Sequence, residues 1–313
     1  MKKFVRRCID FLQIARYYWA DYRQCICYSR TTGRDSEAKS IAEIMLLMHA
    51  LEKGMSFSEK KTEFGGEKAR VLVRILQKHI ETYGLSDRVC VALSILNAYL
   101  ADPHSTSQPQ IRSEIFALIE RYSSKIDFSC GGAKRIGMPD FDLSYDQLVA
   151  FFDSRVSVRD YADAPITDSE IECAKRIAMT TPSACNRQAS RVYAVRDKKM
   201  MAQLFALQGG DQGWCQHAAA VFIVTTDLLF FGGYYERNQA YIDGGLFAMN
   251  FTLGLHAQKI ASCYKMYLRD PRMDSAIKRL CGIQDSEIPI VLILAGHYLP
   301  LAQSPVSHKY SLK

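Results

Sequence analysis

Two uninterrupted apolar runs constrain this chain more than anything else in it: AAAVFIVTT at 218–226 and IPIVLILAGHY at 288–298. Both have strand length, and neither is long enough to cross a bilayer as a helix. Apolar residues that run on without alternating fit central strands covered on both faces, so helices must lie on each side of the sheet. RVYAV at 191–195 is a shorter β-prone segment. Between the two long runs Ile242, Leu246, Met249, Leu253 and Ala257 recur along one stripe, read as the buried face of a central helix. Gly244, Gly245 and Gly254 would let that helix pack closely. A further helix starts at Asp270-Pro271 and ends at Gly282. This half reads as α+β, with a mixed central sheet flanked by helices.

The first 140 residues have a different period and read as all helix. DSEAKSIAEIMLLMHALEKG has a cap at Asp35 or Ser36, a face of Ile41, Ile44, Met45 and Met48, and a stop at Gly54. Further amphipathic segments end at Gly84, run from a cap at Ser86 to just before Pro103, and cover QIRSEIFALIERYSSKI. The Gly-containing stretch 125–142 reads as a linker, dividing the chain into a helical extension, 1–140, and a second domain, 141–313. With 313 residues, 48% of them hydrophobic, there is material for a sizeable core. The net charge of +7 suits acidic ligands or surfaces but is too modest to indicate nucleic acid. Ten scattered cysteines without a frame suit reduced thiols, no metal site and a cytoplasmic location. The basic, partly apolar start, MKKFVRRCIDFLQIARYYWADYRQ, is either a helix packed on the rest of the protein or a membrane-contacting amphipathic helix.

The chemistry concentrates just after the linker. Ser144 and Gln147 form a capping box for a short helix ending near Asp153, and Thr167 and Glu170 form another, for a helix with Ile171, Ala174, Ile177 and Ala178 on its buried face. Between them lies SRVSVRDY, with Arg155, Ser157 and Arg159 at alternate positions. In an extended segment these three point the same way, with Val156 and Val158 facing the core. Two planar guanidiniums flanking a hydroxyl can grip a phosphate; the same alternation also suits a solvated strand edge. One helix later, TTPSACNRQ offers Ser183, Asn186 and Gln188 in a loop behind Pro182.

Taken in order, SRVSVRDY, the capped helix, the Pro-Ser-x-x-Asn-x-Gln loop and RVYAV resemble the opening of the nitroreductase superfamily of FMN-dependent enzymes. AAAVFIVTTD, IDGGLFAMNFTLGLHAQKIASCY and IPIVLILAGHYL resemble its later strand, central helix with following loop, and last core strand. The resemblance covers residues 145 to 313 and implies a nitroreductase-like fold. It implies that Arg155, Ser157 and Arg159 hold the FMN 5′-phosphate, with a tail cation completing the site: Lys309, or else His308 or Lys313. It sets Pro182, Ser183, Ala184, Asn186 and Gln188 against the flavin ring, often from the partner subunit. Ala261, Ser262, Cys263 and Tyr264 fall near the N5 edge, where Cys263 has either a packing or a redox role. Gln212 is assigned to the pyrimidine end in preference to Asp211, because an acid there would oppose the negative charge of reduced flavin. Tyr234, Tyr235 and Arg237 line either a substrate opening or a helix entry, and His217 is read as packed or solvated.

The implied activity is two-electron transfer from NAD(P)H through FMN to a small organic acceptor, in a ping-pong cycle and a homodimer with flavin at the interface. The alternatives are an FMN-dependent dehydrogenase or oxidase of a biosynthetic intermediate, and a non-catalytic module in a (polysaccharide) biosynthetic assembly. His49, Glu52 and Lys53, in a His-x-x-Glu-Lys-Gly segment similar to one in larger members of the superfamily, form either an acid–base cluster or a helix-end salt bridge.

Overall fold

The computed structural model describes residues 2–210 and 213–310, with side chains from residue 6 onward. The strands are β1 (Ser190–Val195), β2 (Ala220–Asp227), β3 (Ile260–Met266) and β4 (Glu287–His297), in the order β1-β2-β4-β3. Every ladder is antiparallel. The parallel component of the expected mixed sheet is confined to one isolated bridge, Ser157 to Ser262. Continuous hydrophobicity reports that a strand is covered on both faces; it carries no information about strand direction.

All eight residues of β2 are buried, because both faces are roofed. Ala220, Phe222 and Val224 join Ile293 and Ala295 of β4 under α7 (Asp168–Ala178) and α9 (Gln239–Ala257). Val221 and Ile223 join Leu292 and Leu294 under α8 (Lys198–Leu207) and α10 (Pro271–Cys281) on the other side. The alternation of odd and even residues between two cores is the period of a strand. IASCYKM, expected in the loop after the central helix, is instead β3, pairing along β4.

The face of α9 is also reversed from expectation. Ile242, Leu246 and Met249 are exposed, whereas Phe247, Ala248, Phe251 and Leu255 meet the sheet. Small residues decide this. A Cβ on Gly254 would lie 2.7 Å from the Ala174 backbone of α7, and one on Gly244 would lie 2.6 Å from Thr226 and Ile290. Gly245 has nothing within 4 Å, so it has no packing role. Ile177 of α7 is likewise partly exposed.

Ahead of the sheet come α1 (Lys2–Tyr28), α2 (Glu37–Ser56), α3 (Gly66–Tyr83), α4 (Asp87–Ala101) and α5 (Pro109–Tyr122). Ser36 caps α2 through the Lys39 amide, and Ile41, Ile44, Met45 and Met48 are buried as expected. Gly54 does not stop α2, which runs to Ser56; it makes room for the Phe64 ring, 2.7 Å from where a Cβ would sit. Residues 126–144 hold neither helix nor strand. The core of α2–α5 continues into Ala189, Phe230, Phe231, Ala240 and Ile288, so the bundle packs on one end of the sheet.

Candidate functional site

The Arg-x-Ser-x-Arg segment is held by its backbone. The Ser144–Gln147 capping box starts α6 (Tyr145–Ser154), and Arg155 follows as its extended C-cap. Val158 N–H then donates to the Ser262 carbonyl at 3.1 Å, alongside the Ser157–Ser262 bridge. Val158 is buried, and the Tyr161 hydroxyl donates to its carbonyl at 2.6 Å. Val156, expected in the core, is 37% exposed, because only the residue that bonds to β3 is drawn inward. Arg155 and Ser157 are half-buried and Arg159 is exposed, its guanidinium 5.5 Å from the Trp214 ring.

Among the described residues, neither Arg155 nor Arg159 forms an ion pair with a carboxylate. Their charges, with the Ser157 hydroxyl, reach the buried Cys263 thiol. Burial is the larger influence and pushes that thiol up, so it stays protonated and packs. Ser262 is buried beside it, and Tyr264 is half-buried, accepting from the Thr252 hydroxyl at 2.9 Å. The tail returns to this place: the Ser304 hydroxyl donates to the Ser157 carbonyl at 3.2 Å. Lys309 is exposed and makes no hydrogen bond or ion pair with a described residue, and His308 packs on Tyr310. Gln212, Asp211 and Lys313 lie outside the described residues.

The Pro-Ser loop is built differently. Pro182 follows α7 and is exposed. The chain then makes a short turn in which Cys185, Asn186 and Gln188 take left-handed φ values of 52°, 51° and 49°. Such a run costs about 1 kcal/mol or more per non-glycine residue and needs surrounding bonds to hold it. Those bonds are present. Ala184 N–H donates to Asp243 Oδ2 at 3.0 Å, Gln188 N–H to the Ser183 hydroxyl at 3.0 Å, and the Gln188 amide to Asn186 Oδ1 at 3.1 Å.

Arg187 is the principal fastening and was not singled out in the sequence. Its side chain is fully buried, and it donates to both carboxylate oxygens of Glu236 at 2.7 and 3.0 Å and to the Phe230 and Ala184 carbonyls. Burial alone would raise the Glu236 carboxyl, but Arg187, the Gly232 N–H and Arg30 together hold it below the usual carboxylate range. Asp243, the second unforeseen anchor, sits in the IDGG stretch read only as helix.

The two sets of residues lie at opposite ends of the sheet. Ser157 bridges to Ser262, whose register partner on β4 is Ala295, itself opposite Ala220 at the start of β2. The Pro-Ser loop leads into Ser190, opposite Thr226 near the end of β2. Six residues of extended strand separate these levels, about 20 Å. One protomer therefore joins the Arg-Ser-Arg segment with Ser262, Cys263 and Tyr264, and keeps Pro182, Ser183, Ala184, Asn186 and Gln188 apart from them.

Of the remaining residues, Tyr234 and Tyr235 are exposed, with ring centroids 4.1 Å apart and planes tilted by 40°, and Arg237 donates to the Tyr234 carbonyl. His217 is exposed. No hydrogen bond or ion pair links His49, Glu52 and Lys53. Burial raises the Glu52 carboxyl, opposed by the Gly132 backbone N–H, while burial and Lys53 lower the His49 imidazole. Among the described residues, no group of three or more His, Cys, Asp or Glu is placed to hold a metal ion.

Residues 153–212 match the profile of the family described as "Nitroreductase family". A protein of Archaeoglobus fulgidus, named "Putative NADH dehydrogenase/NAD(P)H nitroreductase", is 28% identical over 146 residues, 46% of this chain and 81% of its own length. Solved structures with similarity include a nitroreductase family protein from Streptococcus pneumoniae TIGR4, 20% identical with TM-score 0.44, covering 53% of this chain and 96% of its own. A nitroreductase with bound FMN from Desulfitobacterium hafniense DCB-2 is 18% identical with TM-score 0.42, covering 52% of this chain and 97% of its own. The family profile spans the Arg-Ser-Arg segment, its capped helix and the Pro-Ser loop, the same parts that carry the site's geometry.

Proposed function

We propose that this chain is an FMN-dependent oxidoreductase that takes electrons from NAD(P)H and works as a homodimer. The observation that carries the reading is the pair Arg155 and Arg159, two guanidiniums without carboxylate partners among the described residues, flanking a hydroxyl on a segment pinned to β3. A phosphate monoester carries close to two negative charges and three acceptor oxygens, which this donor set suits. The nitroreductase from Desulfitobacterium hafniense is a relative with FMN bound.

Bound FMN would supply two-electron hydride transfer, from NAD(P)H and then to a small organic acceptor, in a ping-pong cycle. The chain's own residues would bind and orient. Arg155 and Arg159 would neutralise the phosphate and Ser157 would donate its hydroxyl. Ser262, Cys263 and Tyr264 on β3 would form a fixed wall, its thiol protonated and chemically quiet. Pro182, Ser183, Ala184, Asn186 and Gln188 would present a rigid loop to the ring from the other protomer, which accounts for the separation of about 20 Å within one chain. The exposed Ile242, Leu246 and Met249 of α9 are the apolar face such a partner would cover. Within residues 1–140, helices α2–α5 would act as a brace behind the loop, through Phe230, Phe231 and Ala189.

The test is the visible spectrum of purified protein, followed by anaerobic titration with NADH and NADPH. The account expects a yellow protein, or one reconstituted by FMN, whose flavin band bleaches with one equivalent of reduced nicotinamide. A protein that stays colourless after FMN addition would overturn it. A loaded protein that does not bleach would favour the substrate-oxidising alternative.

A further inference from the structure

Helix α1 is not needed by the proposed flavin site, and most of it stands away from the body. It has 27 residues, about 40 Å of helix. One side of its C-terminal half is fastened: the Tyr17 hydroxyl donates to Asp270 at 2.8 Å, Asp21 pairs with Arg269 at 2.9 Å, and Gln24 accepts from Arg269 at 2.7 Å. Tyr17, Asp21 and Gln24 recur at helical spacing, so they define the attached face. The expectation that this helix simply packs on the rest of the protein holds for that face alone.

The opposite side is apolar and open. Phe11, Leu12, Tyr18, Trp19, Tyr22 and Ile26 are 71, 66, 72, 61, 55 and 42% exposed. At 100° per residue these six fall within one third of the circumference, with Cys8 and Ala15 between them and no charged residue among them. Towards the body the face runs into a groove of about 500 Å³, which Tyr18, Tyr22 and Ile26 line together with Phe231 and Tyr241. Arg7 borders the apolar stripe on one side, and Arg16 and Arg23 border it on the other. The helix carries six basic residues, Lys2, Lys3, Arg6, Arg7, Arg16 and Arg23, against two acidic ones, Asp10 and Asp21. Asp21 is already paired with Arg269.

We propose that α1 docks this protein onto an anionic lipid surface, lying in the interfacial plane with its aromatic stripe towards the acyl chains and its arginines among the headgroups. Three observations select this occupant. The stripe contains a tryptophan and two tyrosines, amphipathic rings suited to the headgroup boundary. The border is cationic, and basic residues near an anionic leaflet each add to binding. A second copy packed through this face fits less well, since it would set another basic helix against this one. The helix is not apolar enough to cross a membrane, as lying on one requires. The inference does not rest on the flavin reading.

Flotation of the full-length protein with vesicles tests it, using phosphatidylcholine alone and phosphatidylcholine with one-quarter phosphatidylglycerol. Wild type should float with the anionic vesicles, remain behind with the neutral ones, and be released by high salt. Its tryptophan emission should shift to the blue on binding, and the shift should vanish in Trp19→Phe, which leaves Trp214 as reporter. Replacing Arg7, Arg16 and Arg23 with Gln should weaken anionic binding on the order of a hundredfold. The double variant Leu12→Glu, Trp19→Glu should not float. Wild type that floats with neither vesicle, or a double variant that floats like wild type, would overturn the proposal. If light scattering shows the double variant dissociating into smaller species while wild type ignores vesicles, the stripe belongs to a second copy and the lipid assignment fails.

Discussion

Arginine is used in opposite ways at the two ends of the sheet. Where β2 ends and β4 begins, Arg187 is fully buried and satisfied by Glu236, two carbonyls and the Phe231 face. Where β2 begins and β4 ends, Arg155 and Arg159 pair with no carboxylate among the described residues, and the backbone around them supplies the rigidity instead. A guanidinium whose nitrogens are all bonded within the fold maintains a shape. A guanidinium held in place with its donors free is suited to an anion from outside. Substitutions at the first end should therefore affect stability, and substitutions at the second should affect binding.

The largest stability effect should come from Arg187→Ala, which strands Glu236 and releases three left-handed residues, at a cost of about 3 kcal/mol in urea unfolding. If the cost is within about 0.5 kcal/mol, the contrast between the two ends is lost. Gly254→Ala should come next, because the new Cβ meets the α7 backbone, which links both ends. Overpacking should outweigh the gain in helix propensity and leave a net loss of about 1–2 kcal/mol by the same assay. Ser157→Ala should leave unfolding unchanged and weaken FMN binding about tenfold, the worth of one hydrogen bond to a charged group; isothermal titration calorimetry reads this.

The smallest effect should be in the bundle that braces the loop end. Burial raises the Glu52 carboxyl, so the folded state holds its proton to higher pH than the unfolded state. Stability from this group is then lost as pH rises from the ordinary carboxylate pKa to the raised one, and stays lower above it. Glu52→Gln should raise the melting temperature slightly at neutral pH and leave it unchanged in acid. A gain of the same size at both pH values would mean that ionisation is not the cause.

Local signals carried well from sequence to structure. Capping at Ser36 and at both Ser/Thr-x-x-Glu/Gln boxes, and the Asp270 and Gly282 limits of α10, depend on a few neighbouring residues and appear as written. Features set by distant partners did not carry. The apolar stripe of α9 looked like its buried face, but the glycines at 244 and 254 allow the opposite side to approach the sheet and α7. Arg187 looked like an ordinary polar loop residue because Glu236, which buries and satisfies it, is 49 positions away. The order of Arg155, Ser157, Arg159 and the Pro-Ser loop was legible, but their separation along the sheet depends on strand register. The signal that could have exposed Asp243 was an acid in an otherwise apolar and glycine-rich helix, a position that requires a buried donor.

The central claim is that Arg155 and Arg159 grip the FMN phosphate. Its most direct measurement is FMN titration of the Arg155→Ala, Arg159→Ala double variant, with urea unfolding run alongside. The account predicts loss of flavin retention with the unfolding free energy within about 0.5 kcal/mol of wild type. A double variant that purifies yellow with one flavin per protomer would contradict it.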